Sequence, residues 1–307
     1  MNPTTRGSRR HFLRQAAALP TAFAPAALAT RPRNDPAAAP KSLPAPRYTL
    51  SVNLELMFPG AMPYEERLRA AISAGAKAYS FWGYEGKELD RLRALQDKHG
   101  LTCASISGAN KTGWNTGLTK MGFEKAFLDD FTAAVGVAKR LGVPNLITFV
   151  GATQNDIPWE VQYAQIVAGL KKAGDIAGEA GVFLTLEPLN AVESPQMSVN
   201  HTGRAFAILR DVAHPHVKLD FDLYHRQLGE GNLVNTLKEG LAKDYVRFVE
   251  VGDVPGRFEP GTGETNYRRL FDLLREVGYA GFIGMEHRAS RTPKQAFDAV
   301  RRLAGLA

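Results

Sequence analysis

Eight times between Tyr48 and Gly305 a short apolar segment with strand periodicity is followed by a longer one with helical periodicity. No other feature of the chain limits its folding options as much. The strand-like segments are Tyr48–Leu54, Ala76–Phe81, Thr102–Ile106, Asn145–Val150, Val182–Glu187, Val217–Asp222, Val246–Val251 and Phe282–Glu286. The helix-like ones are Glu65–Ala74, Glu88–His99, Phe123–Leu141, Trp159–Ala180, Gly203–Val212, Asn232–Leu241, Thr265–Val277 and Pro293–Leu303. Strands that alternate with helices pair in parallel, and eight such units fill the length of a closed (β/α)8 TIM barrel, about 250 residues. An open doubly wound sheet is the alternative. It carries a glycine-rich phosphate turn after its first strand, whereas here that strand runs into Leu54-Glu55-Leu56-Met57-Phe58. The long segment Ser107–Gly122, which holds Trp114, is expected to fold over the barrel mouth as a lid.

In such a barrel the C-terminal ends of the strands build the site. Four consecutive strands deliver an acid there: Glu187 in LTLEPLN, Asp222 in VKLDFDLYHR, Glu250 in RFVEVGD and Glu286 in IGMEH. Each stands in the inward phase of its strand, as the alternation Phe183, Thr185, Glu187 illustrates. Four converging carboxylates repel one another unless something neutralises them, and a divalent cation is the simplest remedy. All-oxygen ligation favours a hard ion, Mg²⁺ or Mn²⁺. Asp220 lies one layer deeper and is expected to support the ring by pairing with Lys218 or a backbone group. Asn190, Glu193, His225 and Arg257 gather at the same rim, where a histidine and an arginine can hold substrate oxygens. Gly261 and Gly263 lack the Gly-Lys-Ser/Thr of a phosphate loop, and His287, directly after Glu286, is expected to point away.

The formal charge of +7 invites a nucleic-acid reading, but its location argues against one. Eight of the 38 Lys and Arg residues, and only one acid, Asp35, precede Tyr48; from there on 30 basic residues face 30 acidic ones. The excess belongs to a leader in which Ser8-Arg9-Arg10-His11-Phe12-Leu13-Arg14 resembles a twin-arginine export signal, with Ala27-Leu28-Ala29 as cleavage site. The expected organisation is a signal peptide over 1–29, a Pro/Ala-rich spacer over 30–47, and a catalytic barrel over 48–307, exported to the periplasm or beyond. The leader's apolar run is too short to span a membrane. A single cysteine, Cys103, permits an oxidising compartment without demanding one.

LEPLN at 186–190, FDLYHRQ at 221–227, GDVPGRFEPGTGETNY at 252–267 and GMEH at 284–287 resemble the hydroxypyruvate isomerase family, within the wider xylose isomerase-like barrels that include the ketose 3-epimerases. The likeness runs over most of Tyr48–Leu303. It implies a divalent metal, Glu187 and Glu286 as paired acid/base glutamates, Asp222 as a metal ligand, and Glu193, His225 and Arg257 as substrate contacts. Two positions depart from the family pattern: Glu250 stands where Gln or His is usual, and Ser80 where strand two commonly ends in Glu.

The expected chemistry is aldose–ketose type isomerisation of a small α-hydroxy carbonyl compound, by proton transfer through a cis-enediolate between Glu187 and Glu286. A ketose 3-epimerase, or a lyase or hydrolase of 3-keto-glycosides, would use the same barrel. A non-catalytic exported sugar-binding protein would have no reason to keep the glutamate pair. The partner expected is a small-molecule substrate, without nucleic acid or membrane span; a homodimer or homotetramer is compatible with the chain.

Overall fold

The computed structural model describes residues 43–306; the segment expected to be an export signal and most of the expected spacer lie outside the described residues. The last part of the spacer is tied to the barrel, since Arg275 donates to the carbonyls of Leu43 (3.2 Å) and Pro44 (2.8 Å).

Eight parallel strands close in sequence order: β1 (Thr49–Asn53), β2 (Ala78–Ser80), β3 (Thr102–Ser107), β4 (Asn145–Thr148), β5 (Phe183–Leu186), β6 (Val217–Asp222), β7 (Val246–Glu250) and β8 (Phe282–Met285). The ring is sealed by β1 pairing with β8, Ser51 opposite Gly284. The expected helices appear as α1 (Tyr64–Ser73), α2 (Leu89–His99), α4 (Glu124–Leu141), α5 (Trp159–Ala180), α6 (Thr202–Val212), α8 (Leu233–Ala242), α9 (Tyr267–Glu276) and α10 (Pro293–Leu303). Two short helices were not anticipated, α3 (Asn110–Gly113) and α7 (Leu223–Gly229).

The core lies between the outward strand faces and the inner faces of the helices, with Leu68, Leu92, Phe127, Phe131, Leu170, Leu237 and Phe271 buried there. A separate small cluster of Ala78, Ala104, Ile147 and Phe248, capped by Phe282, holds alternate strand positions and fills the interior below the acids. One side of each strand therefore carries fold stability, and the other is left free for chemistry.

The segment after β3 is built into the wall of the mouth and is not a free-standing lid. Leu118 donates to the Val150 carbonyl at 2.7 Å, Thr119 Oγ1 to that of Ala152 at 2.6 Å, and Asp130 on α4 accepts from Thr112. This leaves Trp114 edge-on against Phe149, centroids 5.4 Å apart. Among the described residues no helix is long and apolar enough to cross a membrane.

Candidate active site

Strands β6 and β7 end on Asp222 and Glu250, while Glu187 and Glu286 each stand one residue past the end of β5 and β8. Glu187 still follows the ladder, donating its N–H to Thr148 O at 3.2 Å. Register places Asp222 beside Glu250, and Glu250 beside Gly284. The glycine is needed there, because a Cβ on residue 284 would stand 2.6 Å from Glu250 Oε1. All four acids are at most 5% exposed. Their oxygens, with one of Asp220 and a ring nitrogen of His225, form overlapping groups within 4.8 Å: Asp222–Glu250–Glu286, Glu187–Asp220–Glu250 and Glu187–Asp222–His225. The sequence-derived carboxylate set is thus brought together at one rim.

Asp220 joins it from below. The expected pairing with Lys218 does not form: Lys218 turns to the opposite end of the strand and binds Asp244 at 2.6 Å. Both oxygens of Asp220 and both of Glu250 are buried without a hydrogen-bond partner. Burial and mutual repulsion push the carboxyls of Glu187, Asp220 and Glu250 well above the ordinary range. Asp222 rises from 3.8 to about 6: burial outweighs the opposing pull of Arg257. Among the described residues one guanidinium makes direct contact with this group of five buried acids, and Arg226 acts on Asp222 and Glu187 from farther off. Buried carboxylate oxygens without donors, in an all-oxygen set, are what a hard divalent cation satisfies, so these residues fit one.

That guanidinium belongs to Arg257, which contacts Glu286 and stands 3.1 Å from Asp222. Burial opposes its charge, but Glu286 and Asp222 hold it firmly protonated. Its backbone sits in the left-handed region, φ 54°, which costs a non-glycine residue about 1–2 kcal/mol. Hydrogen bonds enforce the conformation. Arg257 N–H donates to Asp253 O at 2.9 Å, and its carbonyl accepts from Arg288 at 2.7 Å. Asp253, fully buried, accepts from four backbone N–H groups, those of Val254, Gly261, Gly263 and Thr265. Those glycine N–H groups therefore staple a loop. Gly252 clears space above β7, where a Cβ would meet Arg257 Cγ at 3.2 Å.

The other wall is α7. Asp222 caps it, accepting from Tyr224 N at 2.8 Å. One helical turn then carries His225 onto the same face as Asp222, with Nε2 3.5 Å from Asp222 Oδ2 and 3.6 Å from Glu187 Oε1. Burial, aided by Arg257 and Arg226, pushes the pKa of His225 far down, so these contacts are not ion pairs. Arg226 fixes the β5–α6 loop by donating to the carbonyls of Pro188 and Leu189. In that loop Glu193 accepts from Tyr224 OH at 2.6 Å and from Asn190 Nδ2 at 3.0 Å. Tyr224 rises to about 12, through burial and the Glu193 bond.

Glu187, Glu193, His225, Arg257 and Glu286 all line one cavity of about 300 Å³, walled by Trp82, Trp114, Ile147, Phe149 and Leu189. Asp222 and Glu250 lie beneath its floor. His287 is buried and bonded to Arg288 O at 3.0 Å, away from the cavity. Sequence reasoning missed Trp82, whose Nε1 lies 3.4 Å from Glu286 Oε2 and whose backbone N–H is pinned by Glu55 at 3.0 Å. Nothing in the pattern of strand two marked it. Ser80, the departure noted in strand two, is buried with its hydroxyl unpartnered.

A family model described as Xylose isomerase-like TIM barrel matches residues 68–305. The chain is 29% identical over 246 residues to hydroxypyruvate isomerase of Escherichia coli K12, covering 79% of this chain and 94% of that one. It is 30% identical over 247 residues to 2-oxo-tetronate isomerase of Cupriavidus necator, covering 79% and 93%. A solved structure titled AP endonuclease, family 2, from Brucella melitensis superposes with a TM-score of 0.74 at 25% identity, over 85% of this chain and 99% of that one.

Proposed function

The chain belongs to the xylose isomerase-like TIM barrel family and is an isomerase on that barrel; we propose that it moves a proton between carbons of a small α-hydroxy carbonyl compound with the help of a divalent metal. The observation that carries this reading is the donor-starved carboxylate ring beneath a cavity that also presents a neutral histidine and an arginine. Glu187, Asp222, Glu250 and Glu286 would hold the ion, Mg²⁺ or Mn²⁺ by their all-oxygen chemistry. When bound, such an ion polarises a carbonyl and the hydroxyl beside it, which acidifies the intervening C–H.

The residues divide the remaining work. Glu187 and Glu286 approach the floor from different strands, β5 and β8; Glu187 carries no side-chain donor within hydrogen-bond distance among the described residues, whereas Glu286 is held by Arg257 on one oxygen and by Trp82 on the other. One removes the proton and the other returns it, to the neighbouring carbon for isomerisation. His225 and Arg257 hold substrate oxygens in register, and Glu193, fixed by Tyr224 and Asn190, faces a substrate hydroxyl. Trp82 and Trp114 line the sides with apolar surface.

A second reading is favoured by the size of the cavity. About 300 Å³ between aromatic walls is roomy for a three-carbon acid and suits a larger keto sugar. Proton return to the opposite face of the same carbon would make the enzyme a ketose 3-epimerase, and loss of a β-substituent would make it a 3-keto-glycoside lyase. The test is incubation in D₂O with Mg²⁺ or Mn²⁺ and hydroxypyruvate, a 2-oxo-tetronate or a ketohexose. Deuterium should enter at the reacting carbon, and product mass and configuration separate the readings. Glu187→Gln should lower uptake by about 10²–10⁴-fold. Absence of label from every candidate in metal-loaded protein would count against the proposal. On the leader alone, we place the working compartment outside the cytoplasm by the twin-arginine route; export that survives replacement of Arg9 and Arg10 by Lys would remove that route, and retention of the unaltered protein in the cytoplasm would remove the placement.

A further inference from the structure

His225 meets the acid ring through Nε2, and what that atom can do depends on which ring nitrogen carries the proton. Two N–H groups converge on the other nitrogen, Nδ1. The Asn190 backbone N–H lies 3.3 Å away and the Asn190 side-chain nitrogen 2.6 Å. The orientation of the Asn190 amide is itself determined. Its Oδ1 accepts from the Glu193 backbone N–H at 2.7 Å, a donor that cannot change role, and its Nδ2 donates to Glu193 Oε2 at 3.0 Å. A flipped amide would set a carbonyl oxygen against a carboxylate and an NH₂ against an N–H. Asn190 is fully buried, so no water can take the place of these partners. Glu193 is in turn fixed by Tyr224 OH at 2.6 Å.

We infer that Asn190 is a positioning residue that keeps His225 Nδ1 an acceptor, so that the ring proton resides on Nε2 and points at the cavity floor between Glu187 and Asp222. A neutral imidazole has one N–H and one lone pair. With the lone pair engaged by Asn190, Nε2 cannot bind a cation. The Glu187–Asp222–His225 group, close enough to hold one by distance, is thereby excluded as a ligand set, and the ion is left to the carboxylates. His225 becomes a hydrogen-bond donor, suited to an oxygen that gains negative charge as the neighbouring C–H is broken. This last role rests on the isomerase reading above; the tautomer does not.

The experiment is nuclear magnetic resonance of the full-length protein labelled with ¹⁵N in its histidine rings, with and without Mg²⁺. The His225 signals are identified by their loss in His225→Gln. The expected spectrum shows a protonated Nε2 and an unprotonated, hydrogen-bonded Nδ1. A proton on Nδ1, or on both nitrogens, overturns the inference. In Asn190→Asp a carboxylate accepts where the amide donated, so the proton should move to Nδ1 and deuterium uptake should fall at least tenfold, even at saturating substrate. If Asn190→Asp folds and keeps the Nε2–H form, Asn190 does not set the tautomer and the proposal fails; if it does not fold, the wild-type spectrum decides alone. Failure of the isomerase reading looks different: the Nε2–H form would be present while no candidate substrate takes up deuterium.

Discussion

Replacing Asp220 by Asn should stabilise the metal-free protein, and by an amount that depends on pH. Asp220 is fully buried, neither of its oxygens has a partner, and it faces Asp222 and Glu286 without any guanidinium of its own. Asp222, which does have Arg257, still rises from 3.8 to about 6. At roughly 1.4 kcal/mol per pKa unit that rise corresponds to about 3 kcal/mol lost at neutral pH. Asp220 lacks that relief, whereas Asn brings an NH₂ that can donate to the unpartnered oxygens of Glu250. A gain of about 1–3 kcal/mol at pH 8 is therefore expected, the cost of leaving one buried polar group unsatisfied. For a barrel of this size it is a rise in Tm of roughly 3–9 °C.

The sign of the pH dependence follows from the direction of the shift. A carboxyl whose folded-state pKa is raised binds its proton more tightly in the folded state, so it costs nothing below the unfolded value near 4. The cost grows as pH rises toward the folded-state value. The advantage of Asp220→Asn should accordingly vanish toward pH 4 and be largest at pH 8. The assay is thermal unfolding by circular dichroism in EDTA across that range. A variant less stable than wild type at pH 8, or a gain that does not change with pH, would refute the charge argument. Metal stoichiometry gives an independent check: Asp220→Asn should bind as much Mn²⁺ as wild type, and loss of the ion would make Asp220 a ligand.

Three further outcomes follow from the same rim. Arg257→Met should destabilise the metal-free protein by about 3–5 kcal/mol, because it removes the guanidinium paired with buried Asp222 and Glu286; it should also tighten Mn²⁺ binding measured by calorimetry, since a competing positive charge is gone. Gly284→Ala should push Glu250 aside, as the new Cβ would fall 2.6 Å from its Oε1, with a loss of about 1–3 kcal/mol and weaker metal binding; an unchanged affinity would show that Glu250 does not hold the ion. Apparent affinity for Mg²⁺ should fall as pH drops through about 6, because Asp222 must give up its proton before it can coordinate, and binding should release protons in that window.

The barrel was legible in the sequence because period two and period 3.6 alternate without interruption, and glycines such as Gly100 and Gly142 take the left-handed stop that ends α2 and α4. The ring of acids was legible for a related reason, since inward phase at a strand end is a matter of counting. What could not be counted was missed. Lys218 shares a face with Asp220, yet it lies toward the far end of β6, where its long side chain reaches Asp244 and solvent. The helix α7 was hidden inside a run that reads as strand followed by loop, although Asp222 capping Leu223–Gly229 is its physical cause. Trp82 carries no local mark, because its place depends on Glu55, 27 residues earlier in the chain. Asn190 was visible at the rim, but its bearing on His225 rests on one carbonyl oxygen facing the Glu193 N–H, a fact of orientation that composition does not contain.

The two glutamates assigned to proton transfer do not occupy equivalent surroundings, and this bears on the order of events. Glu286 receives the Arg257 guanidinium on one oxygen and the Trp82 indole N–H on the other. Glu187 receives no side-chain donor within hydrogen-bond distance among the described residues; His225 Nε2 stands 3.6 Å from it, and burial with three neighbouring acids pushes its carboxyl well up. Donors stabilise a carboxylate, whereas burial without them stabilises the acid. Paired acids whose environments differ in this way are suited to opposite halves of a proton transfer. In the metal-free protein the raised carboxyl of Glu187 therefore favours keeping its proton. Neutralising the acids below Glu187 releases that proton, which makes Glu187 the group whose basicity responds to the floor of the site. Glu286, clamped by Arg257 and Trp82, is the one whose position does not change when that happens.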